Sequence, residues 1–208
     1  MTRIALLATT AAATLTVAAA SQAAVVMTYD FDVNAGGFAG NNLAGPVTVS
    51  GGLLSGEAPA TGTGSTDPQL VNGSTEIAPT TGFEFDSIIA RVREFDDNDN
   101  VITSFSSTGI LVALNGAVVA NGNSTPNPVT AVDSGDGFFT VTFDLGSFGS
   151  TPITSIRLDP IGGPDANGNR FDVDFIQITD TAPVPVPEPT AAAGMLAAGG
   201  LLMARRRR

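Results

Sequence analysis

The sequence predicts an all-β fold, an antiparallel β-sandwich (jelly roll), flanked by an N-terminal signal helix and a short C-terminal hydrophobic helix. Between Val25 and Thr179 no stretch has the apolar spacing of an amphipathic helix. Short β-rich runs are instead separated by Gly, Pro, Asn, Asp and Ser, as in proteins built from many short strands. Twelve phenylalanines are available to fill much of a core between two sheets.

The predicted strands follow from these runs. Thr140–Leu145 alternates polar and apolar residues, as a strand with one buried face does. Alternation at 88–93 directs Arg91 and Arg93 outward and three apolar side chains inward. Residues 55–69 and 120–128 contain few bulky side chains and are predicted as loops. In chain order the predicted strands are Val25–Val33, Pro46–Leu54, Phe83–Glu94, Val101–Phe105, Ile110–Val119, Phe138–Leu145, Ile153–Leu158 and Phe171–Thr179.

The first 23 residues have the features of a secretory signal peptide. Arg3 supplies a positive start, and an apolar run follows from Ile4 to Ala20. Ser21 and Ala23 place small residues at the −3 and −1 positions of a cleavage site. We therefore expect cleavage after Ala23 and export of a β-sandwich domain at residues 24–180.

Composition excludes several kinds of chemistry. The chain has no cysteine, histidine or lysine, so it lacks disulfides, the commonest general base and the amine for a Schiff base. Between residues 24 and 187 there are 19 acidic side chains against four arginines, which disfavours nucleic acid. Only carboxylates remain as acid–base groups, and no pair of them is marked by a tuning environment. The sequence therefore predicts a protein that is not an enzyme.

The C-terminal segment combines three parts. Residues 181–189 form a proline-rich, extended linker, and residues 190–204 form a short apolar helix. A helix of that length spans about 22 Å, less than the roughly 30 Å of a hydrocarbon core. The four arginines at 205–208 would stay on the cytoplasmic side. This segment is therefore predicted to hold the chain in the inner membrane only transiently, although a simple tail anchor is the alternative.

The same three parts resemble the PEP-CTERM sorting signal. Its elements correspond to Pro187, Glu188 and Pro189, the apolar stretch after them, and Arg205, Arg206, Arg207 and Arg208. The resemblance implies handling by an exosortase, a membrane protease/transpeptidase of Gram-negative bacteria. It also implies delivery to the cell surface or extracellular matrix, often in species that produce exopolysaccharide.

Four aspartates form a possible calcium site. Asp30 and Asp32 share a face of the first predicted strand, and Asp172 and Asp174 share a face of the last. If the terminal strands are neighbours, the four carboxylates would cluster and favour a bound calcium ion. Alternatively, they are polar faces of edge strands that deter unwanted pairing. The oxygen-rich loops at 96–100 and 165–172 are predicted as solvated turns, with calcium as the alternative.

The body of the chain resembles, more loosely, the galactose-binding-like jelly roll of some carbohydrate-binding modules. The resemblance lies in Asp67–Leu70, Ile89–Arg93, Ile156–Pro160 and Asp172–Ile176. It implies a β-sandwich, often with structural calcium, and sometimes glycan binding. The chain departs from that pattern because it has no tryptophan and a single tyrosine to stack on a sugar. Arg91 and Arg93 could contact an acidic polysaccharide or pair with nearby acids.

These observations predict an exported, non-catalytic protein of the cell surface or extracellular matrix. Its role would be structural or adhesive, in exopolysaccharide, biofilm or envelope. The alternative is a calcium-dependent carbohydrate-binding module. The two differ in whether a defined glycan binds to an outward sheet face, and replacing Arg91 and Arg93 would weaken glycan binding only in the second case.

Overall fold

The structure is a computed structural model that describes residues 23–60, 68–106, 110–122, 129–146, 148–162 and 168–181. These residues belong to the compact unit Gln22–Ala182. The predicted signal helix, the linker, the C-terminal helix and the sorting residues Pro187–Pro189 and Arg205–Arg208 lie outside the described residues. Among the described residues no helix is long and apolar enough to cross a membrane.

The described residues form twelve strands in two antiparallel sheets, which confirms the predicted β-sandwich. The larger sheet has the order β3-β4-β12-β6-β10-β9, with β1 pairing on β12 beside β4, and the smaller sheet has the order β2-β5-β11-β7-β8. The strands are β1 (Ala24–Tyr29), β2 (Ala39–Asn41), β3 (Thr48–Ser50), β4 (Leu53–Glu57), β5 (Gln69–Asn72), β6 (Phe85–Phe95), β7 (Leu111–Leu114), β8 (Ala117–Asn121), β9 (Val129–Asp133), β10 (Phe139–Asp144), β11 (Ile156–Asp159) and β12 (Arg170–Asp180).

The core lies between the two sheets and is almost entirely apolar. The larger sheet contributes the inward residues of β6 and β10, among them Ile88, Val92 and Phe143, all nearly inaccessible to solvent. The smaller sheet contributes side chains such as Leu114 and Ile156. Eight of the twelve phenylalanines are buried. Each fully buried apolar side chain adds about 1.5–3 kcal/mol to the free energy of unfolding, so this interface is the main source of stability.

The central pair of the larger sheet, β6 and β12, places the outward polar side chains. Along β6 the buried residues alternate with Arg91 and Arg93, as the sequence predicts. In β12 the register shifts between Val173 and Phe175, so that a bulge separates two inward series of apolar residues. Because of this bulge, Asp174 and Phe175 are both left partly exposed.

Two of the predicted strands are hairpins. The run Pro46–Leu54 contains β3 and the first two residues of β4, joined at Gly51 and Gly52, both with positive φ. The run Ile110–Val119 contains β7 and the first three residues of β8, joined at Asn115 (φ 51°) and Gly116 (φ 82°). Positive φ at two successive residues is the geometry of a tight hairpin turn, which glycine and asparagine allow.

Further differences concern which runs form strands and where the strands end. The run Val101–Phe105 forms only an isolated bridge between Val101 and Phe95. Strands β2, β5 and β9 were not predicted, and β4 extends into the predicted loop at 55–69. Each of the unpredicted strands has five residues or fewer. Strands this short offer too few positions for a two-residue period to stand out.

Candidate functional site

Arg91 and Arg93 lie on the outward face of the larger sheet and are both engaged in ion pairs. Arg93 donates from Nε and Nη2 to Asp172 Oδ2, at 3.2 and 2.5 Å. Arg91 donates to Asp174 on one side and to Asp136 on the other. The Asp172 carboxylate also accepts a hydrogen bond of 2.7 Å from the hydroxyl of Ser55. Both arginines are therefore held between neighbouring segments of the same sheet.

Two phenylalanine rings separate the arginines of this face. The Arg91 guanidinium carbon lies 4.3 Å from the ring centre of Phe138, and that of Arg93 lies 4.4 Å from the same centre. Arg93 also lies 4.9 Å from the ring centre of Phe95, with Arg170 at 4.7 Å from it. We call these five residues, Arg91, Phe138, Arg93, Phe95 and Arg170, the arginine–phenylalanine stack.

The stack covers its aromatic rings almost completely. Phe138 is 6% exposed and Phe95 is 8% exposed, although neither belongs to the core cluster between the sheets. A guanidinium within about 6 Å of a ring centre is attracted to the ring face, by about 0.5–1 kcal/mol at exposed sites. The rings are thus occupied by arginines, and neither presents a free face on which a sugar could stack.

Electrostatics agree with this closed arrangement. Burial lowers the pKa of the Arg91 guanidinium, but hydrogen bonds and the charges of Asp174 and Asp136 outweigh burial and raise it above its usual value. Burial raises the pKa of Asp136, yet the Phe138 amide and the Arg91 charge lower it overall. Both directions favour the ionised pair.

The four aspartates predicted to bind calcium are not gathered at one point. The terminal strands do pair, with Tyr29 opposite Ile176. However, β1 ends at Tyr29, so Asp30 and Asp32 lie in the turn after the strand rather than on one strand face. Phe31 between them has φ 55° and is 1% exposed, because its ring enters the core. This insertion of Phe31 changes the chain direction that the prediction assumed.

Asp172 and Asp174, the other two aspartates of that prediction, pair with Arg93 and Arg91. In the described part of the chain no group of three or more acidic side chains is placed to hold a metal ion. Calcium at Asp30, Asp32, Asp172 and Asp174 stays a prediction that this geometry does not support.

The acidic loop at 96–100 is a hydrogen-bonded turn. Asp96 Oδ1 accepts from the backbone amides of Asn98 and Asn100, at 2.9 and 2.8 Å. Hydrogen bonds from Asn100 and Asn98 lower the pKa of Asp96 despite some desolvation. The Asp96 carboxylate therefore stabilises the turn through its own hydrogen bonds. In the other oxygen-rich loop, at 165–172, residues 165–167 lie outside the described residues.

One groove lies beside the stack on the outer face. It has a volume of about 260 Å³ and follows β3, β4 and the start of β12. Arg170 and Glu57 face each other across the β4–β12 pair and both line it. The remaining lining residues are Ala44, Gly45, Pro46, Thr48, Ser55 and Gly56.

Sequence reasoning did not single out this groove. Arg170 occurs in the oxygen-rich loop, and Glu57 in a segment predicted to be a loop, so neither was assigned a strand position. The only available signal was the paired Gly51-Gly52, which marks the hairpin that brings Thr48 and Ser55 together. Hydroxyl, carboxylate and guanidinium groups in one groove can donate and accept several hydrogen bonds at once.

Glu94 is a second group that sequence reasoning missed. It is on the inward side of β6, where burial raises its pKa and a hydrogen bond from Asn169 Nδ2, at 2.8 Å, partly opposes that effect. A raised carboxyl pKa is a common property of catalytic acids. The cleft beside Glu94 holds only about 10 Å³, room for about one water molecule. The cleft that the described residues form beside Glu94 is therefore too small for a substrate.

Comparisons with known proteins leave the family open. No family model matches the chain, and no curated protein matches it. Among solved structures, it is similar to two variants of family 29 carbohydrate-binding modules. The first has a TM-score of 0.39 and 11% identity, over 77% of this chain and 87% of that one. The second has a TM-score of 0.40 and 13% identity, over 80% and 99%.

The chain is also similar to the N-terminal cellulose-binding domain of β-1,4-glucanase C from Cellulomonas fimi. The TM-score is 0.39 and the identity 17%, over 75% of this chain and 95% of that one. With TM-scores this low, these likenesses assign neither a family nor a ligand to this chain.

Proposed function

We propose that this chain is an exported, non-catalytic protein of the cell surface or extracellular matrix of a Gram-negative bacterium, with a structural or adhesive role in exopolysaccharide or envelope. The observation that carries the structural part is the closed arginine–phenylalanine stack. Within it, Arg91 and Arg93 pair their charges with carboxylates of the same domain and lay their flat faces on Phe95 and Phe138. Arg91 and Arg93, the two arginines that the sequence suggested for contact with an acidic polysaccharide, therefore stabilise the sheet instead.

The export part of the proposal depends on the two ends of the chain. The predicted signal peptide would start export, and the apolar segment would hold the chain in the inner membrane until exosortase acts. The acidic charge of the domain agrees with a role outside the cell and opposes binding to nucleic acid or anionic lipid.

Cell fractionation tests the export part. Pro187→Ala combined with Pro189→Ala should shift the protein from the surface or matrix fraction to the inner-membrane fraction. The matched control replaces Pro183 and Pro185, two prolines of the same linker, and should leave the distribution unchanged. Equal distributions for both double variants would remove the sorting signal from the proposal.

Carbohydrate binding is the second candidate function, and the groove is the observation that favours it. Thr48, Ser55, Glu57 and Arg170 supply hydroxyl, carboxylate and guanidinium groups to a space of about 260 Å³. Such a polar set is suited to the hydroxyls of a sugar, and a positively charged side chain adds attraction for an acidic one. Because the stack occupies Arg91 and Arg93, the groove replaces them as the favoured glycan site.

The test is sedimentation of the mature protein with the exopolysaccharide of the producing cells, in calcium and in EDTA. If the groove binds the glycan, Glu57→Gln should weaken binding about tenfold, the loss of about 1.4 kcal/mol. Glu84→Gln, an exposed acid in the segment that leads into β6, is the matched control and should change nothing.

The possible results separate the two functions. If the unaltered protein shows no saturable binding, only the structural role remains. Binding that is lost in EDTA would support calcium-dependent recognition. Binding that is weakened by Arg91→Ala with Arg93→Ala, and not by Glu57→Gln, would place the glycan on the stack and refute the groove.

A further inference from the structure

Asp180, the last residue of β12, is a buried carboxylate with only one of its oxygens satisfied. Its side chain is 0% exposed. Oδ2 accepts a hydrogen bond of 2.9 Å from the backbone amide of Thr80, whereas Oδ1 is buried without a hydrogen-bond partner. An ionised carboxylate that is removed from water needs a countercharge or a full set of donors. Oδ1 of Asp180 therefore lacks a hydrogen-bond donor, and a cationic donor would also compensate the negative charge of the carboxylate.

No side-chain cation of the described residues is placed to supply that donor. Arg91, Arg93, Arg157 and Arg170 each pair with another aspartate. The chain has no lysine and no histidine. The charged side chains that flank Phe85, the β6 residue opposite Asp180, are Glu84 and Asp86, which are acidic as well. Among the described residues, a cation that pairs with Asp180 is therefore not an arginine side chain.

The other neighbour of Asp180 is the first residue of β1. Ala24 lies directly opposite Asp180 in the β1–β12 ladder, and Ala23 and Ala24 are exposed. Residues directly opposite each other in an antiparallel pair have Cβ atoms about 4.5–5.5 Å apart. Ala24 is also the residue that cleavage after Ala23 would turn into the N-terminus, with an ammonium group that carries three donors.

We propose that the α-ammonium group of Ala24, created by removal of the signal peptide, is the ionic partner of the buried Asp180 carboxylate. In the precursor the same nitrogen is an uncharged amide with at most one proton to donate. Processing therefore adds a charge-assisted contact at the seam between the first and last strands, and the fold becomes more stable once the signal peptide has left. This inference rests on the predicted export and cleavage.

The absence of lysine makes the test selective, because the mature protein then has a single primary amine. The full-length gene is expressed in a Gram-negative host, and the mass of the exported protein gives its N-terminal residue. The protein is then acetylated with N-hydroxysuccinimidyl acetate, and ester products are removed with hydroxylamine. We expect acetylation to lower Tm by about 4–8 °C, through loss of a charged hydrogen bond to a buried group. We also expect acetylation to be at least about threefold slower than that of an alanyl peptide.

Two variants serve as controls in the same reaction. The Tm of Asp180→Asn should not change on acetylation. The Tm of Asp86→Asn should fall as much as that of the unaltered protein. If Asp180→Asn does not fold, the acetylation rate and Tm shift of the unaltered protein decide. An N-terminus at Ala24 with no Tm shift on acetylation would overturn this inference and leave the export proposal standing. An N-terminus at another residue would overturn the cleavage prediction and this inference together.

Discussion

Arg93→Gln should destabilise the domain far more than Arg170→Gln does. Both arginines lie on the outer face of the larger sheet, and both stack on the ring of Phe95. They differ in the carboxylate that each one pairs with. The Asp172 side chain opposite Arg93 is 8% exposed, whereas the Asp99 side chain opposite Arg170 is 69% exposed.

The expected magnitudes follow from that difference. Removing one member of a buried ion pair costs about 3–5 kcal/mol because the other charge stays buried. The Arg93 side chain is itself 24% exposed, and Ser55 still donates to Asp172, so we expect about 2–3 kcal/mol. Arg170 and Asp99 form an exposed pair worth about 0–1 kcal/mol.

Urea unfolding at pH 7, followed by circular dichroism, measures both differences. Adding Asp172→Asn to Arg93→Gln should restore at least half of the lost stability, because it removes the unpaired charge. Equal losses for Arg93→Gln and Arg170→Gln would refute the reasoning from burial. A double variant no more stable than Arg93→Gln would show that the loss comes from packing against Phe95 and not from the stranded carboxylate.

Two further predictions concern single residues. Glu94→Gln should raise Tm at pH 7 by up to about 4 °C, because burial raises the pKa of Glu94 and the folded state there disfavours its charge. A pKa that is raised in the folded state lowers stability only at pH values above the pKa of the unfolded state. Thermal scans should therefore show that the Tm gain of Glu94→Gln vanishes below about pH 4. A Tm gain that persists below that pH would contradict the prediction. Gly116→Ala should lower the free energy of unfolding by about 1 kcal/mol, because φ at Gly116 is 82°. Gly73→Ala, with open space around the added methyl group and no positive φ, is its control and should be nearly neutral in the same unfolding experiment.

The β-class of this protein could be predicted because alternation is a local property. Thr140–Leu145 alternates over six residues, and the structure buries Val141, Phe143 and Leu145. In the run 88–93 it buries Ile88, Ala90 and Val92 and leaves the residues between them partly exposed. The run Ile110–Val119 could not be divided in the same way. All four residues of β7 are buried, so polarity does not alternate there, and only Asn115-Gly116 marks the turn.

The candidate sites depended on contacts between distant parts of the chain. The terminal strands do pair, which was the condition for the calcium prediction, but Phe31 enters the core, and Asp30 and Asp32 lie beyond the end of β1. The predicted outward direction of Arg91 and Arg93 is confirmed, while their ion pairs depend on the register of β12 and on its bulge. No local pattern reveals a bulge, because its position is set by how two strands fit one core.

By itself, the sequence determined the chemical limits of this protein and its β-rich character. The sequence alone shows that cysteine, histidine and lysine are absent. It also shows the alternating polarity of β6 and β10, which does not depend on the rest of the fold. The tertiary structure alone decided which charges are neutralised and which are not. The carboxylates of Asp172 and Asp180 are identical in the sequence, yet one meets Arg93 and the other keeps a buried oxygen without a partner. That difference arises from strand order and register, which bring together residues that are tens of positions apart along the chain.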